Sequence, residues 1–320
     1  MSEVLVTCNK NPDLDGSASA FAYAEFLQKT DWPAEYGFFG HLKSESEYIF
    51  NYLEIEPTVA DKIVNSVDKV VITDASSTAR LSKKIDPDMV IEILDHRKVH
   101  DSHQFKNARV QIELAGACAT LIAEKFIKSN IRPSKESAIL LYLAICSNTI
   151  DFKNKLVTSR DIEAAKYLKT VTDDIGHLKE SMFRQKSEIS QPLKEIIEED
   201  FSIYKFSGKK ITIFQLEIYG VDRFISKRKE ELFDTLKKVK NNKKIDFLFL
   251  TCIDIQKGEN TFVADDPSTQ KMLEDVLPIK FKSNIAKLPE IIMRKELMPK
   301  IKECLEKNDK QNACETSKNY

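Results

Sequence analysis

Short apolar runs alternate along the first half of the chain with stretches whose apolar residues recur at helical spacing. Val4-Leu5-Val6, Lys69-Val70-Val71-Ile72-Thr73 and Val90-Ile91-Glu92-Ile93-Leu94 are β-rich runs bounded by polar residues, and each predicts a strand. Helices are predicted over 17–28, 118–129, 134–146 and 159–169. Strands alternating with helices build a parallel sheet covered on both faces, and such sheets bind ligands outside the carboxyl ends of their strands. From about 172 to 200 the chain turns charged and helical, too poor in apolar residues for a core, and reads as a connection. A second α/β pattern follows, with strands at 210–216 and 245–250 around a charged amphipathic helix at 224–240. The stretch after Lys307 is polar and is expected to fray. The predicted organisation is α/β throughout: an amino-terminal parallel-sheet domain over 1–185, a linker over 186–200, a smaller α/β domain over 201–307 and a flexible tail over 308–320.

Composition changes this picture little but removes some functions. Lys and Arg number 49 against 50 Asp and Glu, a net charge of -1, which gives no electrostatic reason for nucleic acid or an anionic membrane to be the main partner. The six cysteines include no close pair, so they read as reduced thiols rather than as a zinc site or a disulfide scaffold. The longest apolar stretch, 137–146, falls well short of the ~20 residues that span a bilayer. The apolar run at 3–8 is too short for a secretory signal and lacks a basic start. The expectation is a cytoplasmic protein.

Chemistry enters at the predicted strand ends. Asn9-Lys10-Asn11-Pro12-Asp13-Leu14-Asp15-Gly16-Ser17 lies between the first strand and the first helix, Asp74 follows Ile72-Thr73, and Asp95-His96-Arg97 follows Ile93-Leu94. Any one of these has an ordinary explanation as a helix cap or a solvated loop. Together they bring Asp13, Asp15, Asp74, Asp95 and His96 to one edge of one sheet, where the carboxylates repel unless cations compensate. Carboxylate oxygens with one imidazole suit Mg²⁺ or Mn²⁺ better than a structural zinc. Two such ions ~4 Å apart clamp a phosphoryl group and generate hydroxide from bound water. Asp13, Asp15, Asp74 and His96 are the predicted ligands, with Asp74 as the bridging carboxylate and Asp95 orienting His96.

Along nearly its whole length the chain resembles the DHH phosphoesterase superfamily, and most of all its family II inorganic pyrophosphatases. Asn11-Pro12-Asp13-x-Asp15 matches the first motif, and Gly40 to Phe50, with Glu45, resembles the stretch after it. Asp95-His96-Arg97 stands where the name-giving Asp-His-His sits, and Gly116-Ala117-Cys118-Ala119-Thr120 resembles a Gly-Ser-Thr-Ala-Thr helix start. Ser147-Asn148-Thr149 resembles Ser-Asp-Thr, and Phe152-Lys153 and 158–161 follow in the family's manner. Arg294-Lys295 within 293–299 stands in for a Ser-Arg-Lys-Lys run, and Lys186 for a linker lysine.

The resemblance implies a metal-binding DHH domain, a second domain that binds substrate, and an active site in the cleft between them. It implies hydrolysis of phosphoanhydride bonds, first of all in inorganic pyrophosphate, by metal-bound hydroxide. Two ions are implied, Mn²⁺ or Mg²⁺, with Co²⁺ as an alternative. Asp74, His96 and Arg97 take the catalytic role, and Arg97, Lys186, Arg294 and Lys295 bind the small phosphate-containing substrate. A homodimer stays open. The departures are Asn9 for His, Ala75 for His, Arg97 for the second His of Asp-His-His, and Asn148 for a metal-binding Asp. Asn9 and Asp-His-Arg also occur in Prune-like and exopolyphosphatase relatives. Asn148 offers a neutral oxygen, so Asn9 and Asn148 are weaker ligands and the second ion is expected to bind weakly. Exopolyphosphatase or nucleotide phosphohydrolase activity is the alternative, and a degenerate phosphate or nucleotide binder the second. The Gly-Gly-Gly-His segment of oligonucleotide-cleaving relatives is absent from a chain with eight glycines.

Overall fold

The runs rich in β-formers become strands where the pattern places them. In a computed structural model that describes residues 4–97, 100–188, 192–199 and 203–316, the strands β1 (Val4–Thr7), β2 (Ala34–Tyr36), β3 (Lys69–Thr73), β4 (Val90–Asp95) and β5 (Arg109–Ile112) form one sheet. Its order is β2-β1-β3-β4-β5 and every pairing is parallel. The edge strands β2 and β5 lie outside the predicted set. At three and four residues, with polar side chains between apolar ones, they carry too little period to stand out.

Alternation along the strands sends Leu5, Val70, Ile72 and Ile93 to one face, where Phe39, Val64, Leu81 and Phe105 from loops and short 3-10 turns cover them. The helices α1 (Leu14–Gln28), α2 (Ser44–Tyr52), α3 (Cys118–Lys128), α4 (Lys135–Asn148) and α5 (Ser159–Lys169) follow, then α6 (Gly176–Lys186). Of these, α1 packs on β1 and β3 and against α3 and α4. Every residue from Ser137 to Ser147 of α4 is buried, as expected of a helix apolar on all sides. Glu25 near the end of α1 ties the two helices together, accepting from Ser134 N–H (2.7 Å), Ser134 Oγ (2.6 Å) and Ser137 Oγ (2.5 Å).

The chain divides into two compact units, Met1–Gln185 and Lys186–Tyr320. The second opens with α7 (Leu193–Glu199), β6 (Tyr204–Phe206), β7 (Lys209–Ile218) and α8 (Val221–Lys243). Then come β8 (Phe247–Asp254), β9 (Glu259–Val263), α9 (Pro267–Val276), β10 (Ile285–Leu288) and α10 (Arg294–Thr316). Its sheet runs β10-β9-β8-β7-β6, with β7 and β8 parallel and the remaining pairs antiparallel. Two segments differ from expectation. Leu193 and Ile197 in the stretch expected as a linker are buried in the second unit's core. The last helix continues through the stretch expected to fray from 308, which contains no Gly or Pro to stop it before Thr316; 317–320 lie outside the described residues.

Candidate metal centre

The turn from β1 into α1 sets the first carboxylates. The helix starts at Leu14, three residues earlier than predicted, so Asp15 stands in its first turn rather than in a loop. Asp13 is the N-cap, with its carboxylate accepting from Gly16 N–H at 3.2 Å. Gly16 leaves room for Asn9, because a Cβ there would lie 2.7 Å from Asn9 Oδ1 and would push that side chain aside. At the end of β3 the backbone turns at Asp74 with φ +55°, a left-handed conformation that Asp tolerates better than most residues. The turn leaves the Asp74 carboxylate completely buried.

Asp15, Asp74 and His96 are brought together: one ligand atom from each lies within 4.8 Å of the others, the group of this kind found among the described residues. His96 Nε2 is 3.4 Å from Asp74 Oδ1 and 3.6 Å from Asp15 Oδ2. The other ring nitrogen, Nδ1, is 3.0 Å from the Ala115 carbonyl, to which it donates. That bond fixes the tautomer and turns Nε2 toward the carboxylates. Ala115 therefore orients the ring, in place of the Asp95 carboxylate predicted for that task. Asp95 is engaged elsewhere, accepting from Ser76 Oγ (2.5 Å) and from the His96 backbone N–H (2.8 Å).

Asp15 is held by the first turn of α3. Its Oδ1 accepts from Ala119 N–H (2.8 Å), and its Oδ2 from Cys118 N–H (2.9 Å) and Asn148 Nδ2 (2.8 Å). A helix amino terminus favours such an anion. Asn148 Nδ2 also donates to the Gly116 carbonyl (3.1 Å), so its nitrogen, and not the oxygen expected as a weak ligand, faces Asp15. A flip would set the amide oxygen against a carboxylate and a carbonyl at once. Asp151, three residues on, is paired with Lys179 at 2.7 Å.

Arg97 turns back onto the cluster. Its Nη2 donates to Asp74 Oδ2 (3.1 Å) and lies 2.9 Å from Oδ1, while Nη1 bonds the Asp74 carbonyl and reaches Asp95 Oδ1 (3.3 Å). Even so, Asp74 Oδ1, His96 Nε2 and Asn9 Oδ1 remain buried without a hydrogen-bond partner. Buried polar atoms are nearly always paired, and these three are of the kinds that ligate a hard or borderline cation. A divalent ion therefore fits Asp15, Asp74 and His96. Asp13 stands outside that group as the cap of α1, although its charge still bears on Asp15.

The other three basic residues predicted to bind substrate, Lys186, Arg294 and Lys295, belong to the second unit. Arg294 opens α10, its N–H donating to Gln215 Oε1 (2.7 Å), and with Lys295 it lines a cavity of about 490 Å³ together with Tyr204, Gln215, Met293 and Met298. Buried Asn260 fixes the approach to α10 by donating to the Ile292 carbonyl (2.9 Å) and accepting from Ile292 N–H (3.0 Å). Lys186 lies 2.9 Å from the Glu217 carboxylate.

The family model described as DHH family, N-terminal domain, matches residues 3–145, and the DHHA2 domain model matches residues 180–304. A Bacillus subtilis protein named manganese-dependent inorganic pyrophosphatase is 26% identical over 92% of this chain and 96% of its own. A Bacillus velezensis protein provisionally given the same name is 27% identical with the same coverage. Among solved structures, a Methanococcus jannaschii protein provisionally described as a family II inorganic pyrophosphatase superposes with a TM-score of 0.65 at 25% identity, covering 95% of this chain and 99% of its own. Among the described residues no helix is long and apolar enough to cross a membrane.

Proposed function

The chain belongs to the DHH superfamily, carrying both its DHH and its DHHA2 domain, and on that footing we propose that it is a divalent-metal-dependent phosphohydrolase whose substrate is inorganic pyrophosphate. The observation that carries this reading is the convergence of Asp15, Asp74 and His96, with Asp74 Oδ1 and His96 Nε2 buried and without a hydrogen-bond partner, at the carboxyl ends of a parallel sheet. The manganese dependence and pyrophosphatase names of relatives that span almost the whole chain support the choice of ion and substrate. Asp15, Asp74 and His96 would hold the ion, Mn²⁺ before Mg²⁺ or Co²⁺, with Asp13 and Asn9 beside them. A bound divalent cation supplies Lewis-acid polarisation of a phosphoryl oxygen and acidifies a coordinated water.

The chain's own groups do the rest. The first turn of α3 and Asn148 hold the Asp15 carboxylate in place, the Ala115 carbonyl keeps Nε2 of His96 free of its proton when the ion is bound, and Arg97 offers a planar guanidinium to phosphate oxygens. The test is phosphate release from pyrophosphate, tripolyphosphate, longer polyphosphate and nucleoside phosphates with Mn²⁺, Mg²⁺ or Co²⁺, against chelator-stripped protein. Pyrophosphate should be turned over fastest, with Mn²⁺. Preference for a longer chain or a nucleotide moves the assignment to the exopolyphosphatase or nucleotide alternative. Metal or phosphate binding without turnover identifies a degenerate binder.

Protons and the cation compete for this cluster, which gives the stability a pH signature. Burial raises the Asp15 carboxyl, and Asp74 raises it further against the opposing effect of His96. Burial alone would lower His96, but Asp74 and Asp15 more than offset it and the imidazole is raised. Both groups hold protons more tightly folded than unfolded, so the metal-free protein loses stability as pH rises through neutrality toward their folded values. The loaded centre needs both deprotonated and does not share that loss. The gain in melting temperature on adding Mn²⁺ is expected to grow from about pH 6 to about pH 8.5. A gain that shrinks over that interval in thermal melts would contradict the ligand set.

A further inference from the structure

The DHH centre as the resemblance describes it holds two ions, whereas the side chains here carry one positive charge of their own on the carboxylate that would bridge them. We propose that the amino-terminal unit is a one-ion centre: Arg97 supplies the second positive charge on Asp74, and Asn148 positions Asp15 as a hydrogen-bond donor instead of ligating a second cation. The inference rests on the metal-dependent reading above and narrows it.

Three observations meet in it. Both oxygens of Asp74 lie within 3.1 Å of Arg97 Nη2, and Nη1 bonds the Asp74 carbonyl, so the guanidinium grips side chain and backbone of the same residue. It also reaches Asp95, which gives it a second anchor and places a fixed charge between two buried carboxylates. Asn148 is locked as a donor by two acceptors at once, Asp15 Oδ2 and the Gly116 carbonyl. An amide so placed cannot turn its oxygen to a cation without losing both bonds. The ligand-type atoms without a hydrogen-bond partner, Asp74 Oδ1 and His96 Nε2, lie together, 3.4 Å apart, and the group they form with Asp15 has three members. One divalent ion with Arg97 balances Asp15, Asp74 and Asp95; a second ion would have to share Asp74 with a guanidinium of like charge. The consequence for function is a centre whose second cation is never lost to low metal concentration or a chelator.

Equilibrium dialysis of the full chain against Mn²⁺, with bound metal measured by elemental analysis and its coupling by electron paramagnetic resonance, decides the matter without reference to activity. The wild type should saturate at about one Mn²⁺ per chain with the spectrum of an isolated ion, and Arg97→His/Asn148→Asp at about two with the spectrum of a coupled pair. Two ions in the wild type overturn the inference and leave the proposed function standing. One ion in both proteins also overturns it, since Arg97 and Asn148 would then not be what excludes the second. No bound Mn²⁺ in the wild type removes the metal-dependent reading itself. Asn148→Asp alone gives a second readout if the double variant does not fold. It sets a carboxylate where the amide now donates to Asp15, so the metal-free melting temperature should fall and the gain on adding Mn²⁺ should increase. An unchanged metal-free melting temperature contradicts the donor role.

Discussion

Asp74→Asn is expected to lower Mn²⁺-dependent phosphate release by about a thousandfold or more, the equivalent of the ~4 kcal/mol that metal-centred charge stabilisation supplies. The reason is that Asp74 serves three partners with one carboxylate: it faces His96 Nε2, approaches Arg97 with both oxygens, and sits beside Asp15. An amide removes the charge that holds both the ion and the guanidinium, while keeping the size of the side chain. Asn is the cleaner substitution because Asp74 has φ +55°, a left-handed conformation that Asn tolerates and that costs Ala on the order of 1 kcal/mol. Folding should survive, because Arg97 keeps Asp95 as a partner and the repulsion between Asp74 and Asp15 is relieved. The metal-free melting temperature should therefore move by only a few degrees, and the rise produced by Mn²⁺ should vanish. Turnover above a tenth of wild type, or an undiminished Mn²⁺-induced rise, would show that the ion is held elsewhere.

That Asp15, Asp74 and His96 converge was legible because each follows a strand, and strands are the strongest pattern in the chain. Lys69–Thr73 and Val90–Asp95 form where β-branched residues cluster, so Asp74 and His96 fall where a parallel sheet presents its ligands. What the pattern does not carry is side-chain direction. Nothing in Asp95-His96-Arg97 says that the guanidinium folds back onto Asp74, or that a backbone carbonyl 19 residues away orients His96. By residue type alone Asn148 is a weak oxygen ligand, and only its neighbours, the Gly116 carbonyl among them, decide that its nitrogen faces inward. In the second unit the hairpins β6–β7 and β8–β9 lie outside the predicted elements although Ser207-Gly208 and Lys257-Gly258 mark their turns, with Gly208 at φ +70° and Gly258 at φ +72°. Turn chemistry is the signal there, and it is weaker than the apolar runs on either side of it.

The largest stability effect is expected away from the ion, at Asp161, which sequence placed only in a family-like stretch. This residue is fully buried and anchors the loop ahead of α3, next to Ala115, whose carbonyl orients His96. Gly116 N–H donates to both of its carboxylate oxygens at 2.9 Å, Thr120 Oγ1 donates to Oδ1 (2.6 Å), and Thr158 N–H and Oγ1 donate to Oδ2 (2.7 and 2.8 Å). It thus joins the amino ends of α3 and α5, and α3 in turn presents the amides that hold Asp15. The approach is close enough that Gly116 must stay glycine, since a Cβ would lie 2.6 Å from Thr149 and 2.9 Å from Asp161. Asp161→Ala leaves the buried Gly116 N–H without an acceptor, removes a helix cap, and opens a void between two helices. Together these should cost about 3–5 kcal/mol. For a unit of this size that is a fall in melting temperature on the order of 10 °C. Trp32, the sole tryptophan, belongs to the first unit, so its fluorescence in a urea titration reports the loss there directly. Asp161→Asn should fall between wild type and Ala, since its oxygen still accepts from Gly116 while its amide nitrogen opposes Thr158 N–H. Mn²⁺ should bind the Ala variant more weakly as well, because Asp15 loses the rigid amino terminus it rests on. A loss of less than about 1 kcal/mol would mean that the loop holds its shape without Asp161, and that its carboxylate is no more than the local cap of α5.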